Sequence, residues 1–148
     1  MAVSVTGRIL LDTNVFIDYL RSDRHGEWVW GGDVPRFRYL SAVVLFELRV
    51  GANTSRRHRA IDRIQATFPP ERVLAPTPRL FDRAGQLFQR LYRGIVGRDR
   101  LGPANDLLIA LTAWQAGATV VTSNVREFRR IAGWLPGLSV VTPAGEAM

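Results

Sequence analysis

The chain is predicted to fold as an α/β protein, a three-layer α/β/α sandwich around a central, mostly parallel sheet. Short apolar runs alternate with longer stretches whose apolar residues recur at helical spacing, so strands alternate with helices throughout. The first run, Ile9-Leu10-Leu11, has no polar alternation, which fits a buried parallel strand. No repeat, low-complexity tract or linker divides the 148 residues, so residues 1–148 read as one domain. A chain of this length can bury roughly two-thirds of its unfolded surface.

Asp12 ends the first strand. Thr13 and Asn14 start a helix, and Val15, Phe16, Tyr19 and Leu20 continue it at helical spacing. Over residues 22–35 the signals conflict: Trp28 and Trp30 fit a short helix or a packed loop, and Gly31-Gly32-Asp33 is a turn signal. Residues 36–40 form a second candidate strand. Ser41 is a good N-cap for a helix through Val50, closed by Gly51. Residues 53–55 cap a further helix to about Thr67, with Ala60, Ile61, Ile64 and Phe68 on its apolar side, and Phe68-Pro69-Pro70 ends it.

A third strand is expected over 73–75. Thr77-Pro78 is a strong N-cap and first-turn pair. Leu80, Phe81, Ala84, Leu87, Phe88, Leu91 and Ile95 then make the clearest amphipathic helix in the chain. A basic loop over 97–102 carries Arg98 and Arg100. Pro103 opens a helix to about Gln115, which Gly117 stops. A strand over 119–122, a short helix over 125–131 and a last strand over 138–141 complete the pattern.

Composition narrows the chemistry. The net charge is +7, and all twenty basic residues are Arg, with no Lys. Guanidinium groups fork onto phosphate and stack on bases, while the lack of Lys excludes Schiff-base chemistry and a P-loop. A pI near 11.3 favours a nucleic-acid or acidic-protein partner over a small neutral substrate. With no Cys, disulfides, thiolate metal sites and a Cys nucleophile are excluded. The longest apolar run, residues 42–46, is far too short to span a membrane, and the chain opens without the charged and apolar regions of an export signal. A cytoplasmic protein is therefore expected.

Three carboxylates interrupt apolar sequence: Asp12 in ILLDTNVFI, Glu47 in AVVLFELRV and Asp106 in NDLLIALTA. Ionised carboxylates are costly to bury unless paired. Each has an alternative reading. Asp12 can cap the next helix. Glu47 shares its helix face with Val43, Val44, Val50 and Gly51, so it calls for a distant Arg or a metal, since Arg49 points elsewhere. Asp106 can be a first-turn Asp favoured by the helix dipole. It also shares a face with Ala110, Ala113 and Gly117, small residues that allow close approach to the sheet. Taken jointly, three acids at element ends suggest one hard cation, Mg²⁺ or Mn²⁺, and the basic charge suggests a polyanionic substrate.

The segments LLDTNVFIDYL (10–20), SAVVLFELRVGA (41–52) and NDLLIALTAWQAGATVVTSNVREF (105–128) resemble the PIN-domain ribonucleases, and most closely the VapC toxins of bacterial toxin–antitoxin pairs. The D-T-N start, the S-x₅-E helix and the D-x-x-I-A…G…V-T-x-N-x-x-E-F block are jointly specific. The resemblance implies a PIN-like sandwich, an acidic pocket for Mg²⁺ or Mn²⁺, and endonucleolytic cleavage of RNA (tRNA, rRNA or mRNA). It also implies a homodimer neutralised by a small VapB-type antitoxin. Asp12, Glu47 and Asp106 carry over as the catalytic and metal-binding pocket, with Asp12 and Asp106 the firmest ligands.

Many relatives place an Asp where this chain has Asn124. Glu127, three residues on, can supply a carboxylate from the next turn, so the expectation is one tightly held metal with a second recruited by substrate phosphate. Three close carboxylates repel, so the metal-free pocket is expected to show raised pKa values. Glu47 is the candidate to orient or deprotonate the attacking water. Thr13, Ser123 and Asn124 form a polar rim, and Arg98, Arg100, Arg126, Arg129 and Arg130 are candidates to track RNA, although each alone also reads as a solvated charge. The Asn124 departure keeps a second reading open, a catalytically silent PIN-fold module that binds RNA or protein. An aspartyl-phosphate phosphatase is disfavoured by Asn14 and by the lack of Lys. A Ser-His hydrolase is disfavoured because no G-x-S-x-G exists and His25 and His58 read as surface residues.

Overall fold

A computed structural model describes residues 7–32 and 37–144. Five strands, β1 (Arg8–Leu11), β2 (Phe37–Ser41), β3 (Val73–Leu74), β4 (Thr119–Val121) and β5 (Val140–Val141), form one sheet in the order β3-β2-β1-β4-β5. Every pairing is parallel. The described helices are α1 (Thr13–Ser22), α2 (Gly26–Trp30), α3 (Ala42–Val50), α4 (Ser55–Gln65), α5 (Pro78–Leu91), α6 (Leu101–Ala116) and α7 (Val125–Ala132). The α/β sandwich is as expected.

Successive residues of a strand face opposite sides of the sheet. Ile9, Leu10 and Leu11 are all essentially buried, so helices cover both faces at β1. Phe16, Leu107, Ile109, Leu111, Phe128 and Ile131 pack into the same core. The chain builds outward from β1 to β2 and β3, then crosses back to place β4 on the other side of β1. That reversal opens a crevice at the carboxyl ends of β1 and β4, where ligands bind in open α/β sheets.

Most departures from the expected elements lie at their ends. Arg36 and Asp33 fall outside the described residues, and β2 runs from Phe37 to Ser41. The residue pair Trp28/Trp30 belongs to the short helix α2, with Trp28 buried and Trp30 exposed. Helix α5 stops at Leu91, short of Ile95, because the chain leaves helical geometry at Tyr92 (φ −126°, ψ 35°) and Gly94 then turns it with a positive φ of 93°. Phe81, expected on the apolar face of α5, is 53% exposed, while Leu80, Ala84, Leu87 and Leu91 face the core. Residues 97–100 form a 3₁₀ turn and α6 begins at Leu101, two residues before Pro103. Proline is tolerated there because first-turn N–H groups have no helical partner.

Two caps match the residue signals directly. The Ser41 hydroxyl accepts from the N–H groups of Val43 and Val44 at 3.1 and 3.3 Å. The Thr77 hydroxyl accepts from Leu80 N–H at 3.2 Å. Thr77→Ala is therefore expected to cost about 1 kcal/mol, whereas Thr77→Ser should be nearly neutral. Thermal melting of the two variants checks this, and equal losses would remove the cap as the cause.

Candidate active site

Asp12 lies one residue beyond β1, with extended backbone angles (φ −71°, ψ 158°), and its N–H continues the ladder to the Val121 carbonyl at 2.9 Å. It is only 4% exposed. One carboxylate oxygen, Oδ1, accepts from Thr13 N–H at 2.8 Å, so Asp12 does cap α1. The other, Oδ2, accepts from Asn14 Nδ2 at 2.9 Å and from the Thr122 hydroxyl at 2.8 Å. Three of its roughly four acceptor sites are thus engaged. Burial pushes the Asp12 carboxyl up to about 6, against the opposing pull of these hydrogen bonds.

Thr122 ties the pocket together. Leu11 pairs with Val121, so one step further Thr122 stands beside Asp12. Its fully buried hydroxyl also accepts from Asn124 N–H at 2.9 Å and Asn14 Nδ2 at 3.3 Å. The Asn14 carbonyl oxygen accepts from Ser123 N–H at 3.1 Å, which closes the loop after β4 onto the start of α1.

Glu47 projects from α3 and meets Thr13 and Asn105. The Thr13 hydroxyl donates to Oε1 at 2.6 Å and the Asn105 amide to Oε2 at 3.3 Å. The expectation of a distant Arg partner fails: two neutral donors hold this carboxylate, each leaving an acceptor site on its oxygen. Arg49 does point elsewhere, to Asp62 at 2.5 Å and to the His58 carbonyl at 3.1 Å.

Asp106 differs from both. Among the described residues it accepts no hydrogen bond and forms no ion pair. Burial, then the negative charges of Asp12, Glu47 and Glu127, push its carboxyl up to about 8. The raised pKa values expected of the pocket are therefore present at Asp12 and Asp106. The helix that carries Asp106 lies close over the sheet through the buried Ala110 and Ala113, the small-residue face read from the sequence.

Of the two fourth-corner candidates, Glu127 contributes to the charge felt by Asp106, but the Tyr92 hydroxyl donates to its Oε1. Burial first, then Glu127, raise the pKa of Tyr92. Asn124 is exposed at the start of α7, and Ser123 beside it is exposed too. Among the candidate RNA-contacting arginines, Arg98, Arg100 and Arg126 are exposed and Arg129 is half-buried. Arg130 instead braces the fold, donating to the Leu91 carbonyl and lying over the Tyr92 ring. His25 and His58 are not the plain surface residues expected: His25 sits 3.3 Å from Asp18, and His58 packs against Arg49.

The donor set fits a hydrated hard cation better than a cage. No three acidic side chains of the described residues close into a preformed ligand group. Hydrogen bonds already take up most of Asp12, which leaves Asp106 free and one or two acceptor positions on Asp12 and Glu47. Mg²⁺ keeps several waters and needs only one or two carboxylates, so an open all-oxygen cluster suits it. Asp106 is the residue that gains most, because a cation would relieve the repulsion that now holds its proton on.

A pH prediction follows from the two raised carboxyls. Both groups have an ordinary value of 3.8 and folded values of about 6 and about 8, so the folded chain holds extra protons between those limits. The cost of ionising them is absent below pH 4 and complete above pH 8. Metal-free stability should therefore fall as pH rises from 5 to 9, and millimolar Mg²⁺ should restore it near pH 9 but not near pH 5. Calorimetry with and without Mg²⁺ reads this. A melting temperature that rises with pH in the metal-free protein would contradict it.

Sequence reading missed Thr122, Asn105, Asn14 and Tyr92 as parts of the site. Asn105 was signalled only by standing next to Asp106, and Thr122 only becomes visible once the β1–β4 register is known.

A carboxylate cluster at the switch-point edge of a parallel sheet defines an α/β protein with an acidic site. The family model described as PIN domain matches residues 9–133, and the chain belongs to that family. Among solved structures, it is similar to DNA-bound VapBC from Salmonella typhimurium, at 26% identity and a TM-score of 0.67 over 92% of this chain and 98% of that one. FitAcB from Neisseria gonorrhoeae is similar at 26% identity and a TM-score of 0.61, covering 91% and 97%. VapBC2 from Rickettsia felis bound to a promoter DNA fragment matches in fold, at 23% identity and a TM-score of 0.63, covering 91% and 98%. The curated proteins hold no match. No described helix is long and apolar enough to cross a membrane.

Proposed function

We propose that this chain is a metal-dependent endoribonuclease, a VapC-type toxin that cleaves RNA (tRNA, rRNA or mRNA) in the cytoplasm. The observation that carries the reading is Asp106: a largely buried carboxylate without a hydrogen-bond partner, facing the charges of Asp12, Glu47 and Glu127. Asp12, Asp106 and Glu47 would hold Mg²⁺ or Mn²⁺. A divalent ion bound there supplies charge neutralisation for the scissile phosphate.

The chain's own residues set the rest of the geometry. Thr13 and Asn105 clamp both oxygens of Glu47 and aim its remaining acceptor positions, which suits a group that orients or deprotonates water. Asn14 and Thr122 fix the Asp12 carboxylate in one orientation, so little ordering is left for the moment of reaction. Ser123 and Asn124, both exposed, would donate to phosphate oxygens. Arg98, Arg100, Arg126 and Arg129 would follow the RNA backbone. The similarity to VapBC supports a VapB-type antitoxin as partner, and a homodimer is the working unit of the same reading.

One observation favours a second reading. Glu127 is occupied by Tyr92, and the other fourth-corner residue is an uncharged Asn124, as in a silent PIN-fold module that binds RNA or protein. Incubation of purified protein with Mn²⁺ and a pool of tRNA and structured RNA separates the readings. The nuclease reading expects Mn²⁺-dependent fragments that Asp12→Asn and Asp106→Asn abolish. Cleavage that survives both substitutions is a contaminant's, and no cleavage joined to no metal-dependent change in melting favours the silent module.

A further inference from the structure

Beside the acidic cluster lies a cavity of about 270 Å³ between α1, α3 and the start of α4. Glu47 is shared between the cavity wall and the acidic cluster, so the two are neighbours. Its walls are mixed. Ile17 and Leu48 supply apolar surface, while Arg21, Arg57 and Asn53 supply donors. The guanidinium groups of Arg21 and Arg57 have no acidic partner among the described residues, although Glu47 lines the same space. An apolar wall between two phosphate-seeking forks is the pattern of a nucleotide subsite, with stacking or packing for a base and charge for its phosphate.

We propose that this cavity holds the nucleotide adjacent to the scissile phosphate of a single-stranded RNA, with Arg21 and Arg57 on its backbone phosphate. The inference rests on the nuclease reading. It adds a contact on the α1–α3–α4 side to the backbone contacts proposed for Arg98, Arg100, Arg126 and Arg129. Asn53, exposed and lining the same cavity, adds a neutral amide to its polar side.

The test uses a single-stranded oligoribonucleotide that the wild-type chain cleaves, with binding read by fluorescence anisotropy in EDTA and cleavage read in Mn²⁺. Arg21→Gln/Arg57→Gln should weaken binding roughly tenfold or more and lower the slope of log Kd against log salt by about 1.4, two single-strand phosphate contacts. Arg59→Gln/Arg63→Gln, which removes the same charge from the exposed face of α4, should change the slope far less. Equal losses in the two double variants would overturn the subsite in favour of a general charge effect. Unchanged RNA affinity with weakened binding of a poly-glutamate peptide would overturn it in favour of a protein ligand. In both cases wild-type cleavage stands, and so does the nuclease reading. If the wild type neither binds nor cleaves any RNA, the nuclease reading fails and the subsite with it.

Discussion

Asp106→Asn is expected to make the metal-free protein more stable at pH 8 and to reduce metal-dependent RNA cleavage by roughly 10²–10³-fold. The two effects have opposite signs for one reason. The carboxylate is largely buried, unpartnered and surrounded by three other acids, and its folded pKa lies at about 8. An amide of the same shape removes the ionisation cost and the repulsion. The gain is on the order of 1–3 kcal/mol once solvent screening is allowed for, or roughly 3–8 °C in melting temperature. The amide also removes the anionic ligand that a hard cation needs. Calorimetry at pH 5 and pH 8, beside a cleavage assay in Mn²⁺, reads both halves. The stability gain should shrink at pH 5 and vanish only below about pH 4, where Asp106 is protonated in both the folded and the unfolded chain. A variant less stable than wild type at pH 8 would mean that Asp106 has a partner in solution, and the site would need another explanation.

Asp12→Ala should be inactive for a second reason and should also unfold more easily, by roughly 2–4 kcal/mol. The side chain caps α1 through Thr13 N–H and accepts from Asn14 and Thr122, whose hydroxyl is fully buried. Truncation leaves these donors without their acceptor at the sheet edge. Asp12→Asn keeps the cap and the volume, so its stability loss should be about 1 kcal/mol or less, while its activity loss should match that of Asp12→Ala. Chemical denaturation of the pair reads the difference. If the two variants were equally stable, the hydrogen-bonded frame around Asp12 would contribute nothing to the fold. Asp12 is thus a structural cap, and that role leaves one acceptor position free for the proposed site role.

How far the sequence could be read depended on whether a residue's partners lie nearby along the chain. Ser41, Thr77 and Gly117 act over three or four residues, and their caps and stops follow from residue type alone. The sequence puts Asp12, Glu47 and Asp106 at element ends, and the structure brings Asp12 and Glu47 near enough to Asp106 to raise its pKa. What holds Glu47 was not legible. Asn105 is 58 positions away and Thr13 is 34 away, and neither is charged. The occupation of Glu127 by Tyr92, 35 residues apart, was equally hidden, although it bears directly on the fourth corner. Phe81 was misplaced because its spacing fits the buried stripe of α5, and only the position of the neighbouring helix decides where that stripe ends.

The sequence by itself determined the alternation of strands and helices, the carboxyl-edge position of Asp12 and the absence of any cysteine ligand. These follow from residue type and short-range spacing. The tertiary structure decided which carboxylate is left free. Register between β1 and β4 sets Thr122 against Asp12, and the approach of α3 sets Glu47 against Thr13 and Asn105. Of the three carboxylates, Asp106 alone accepts no hydrogen bond among the described residues, so its proton affinity is set by neighbours that chain order does not reveal.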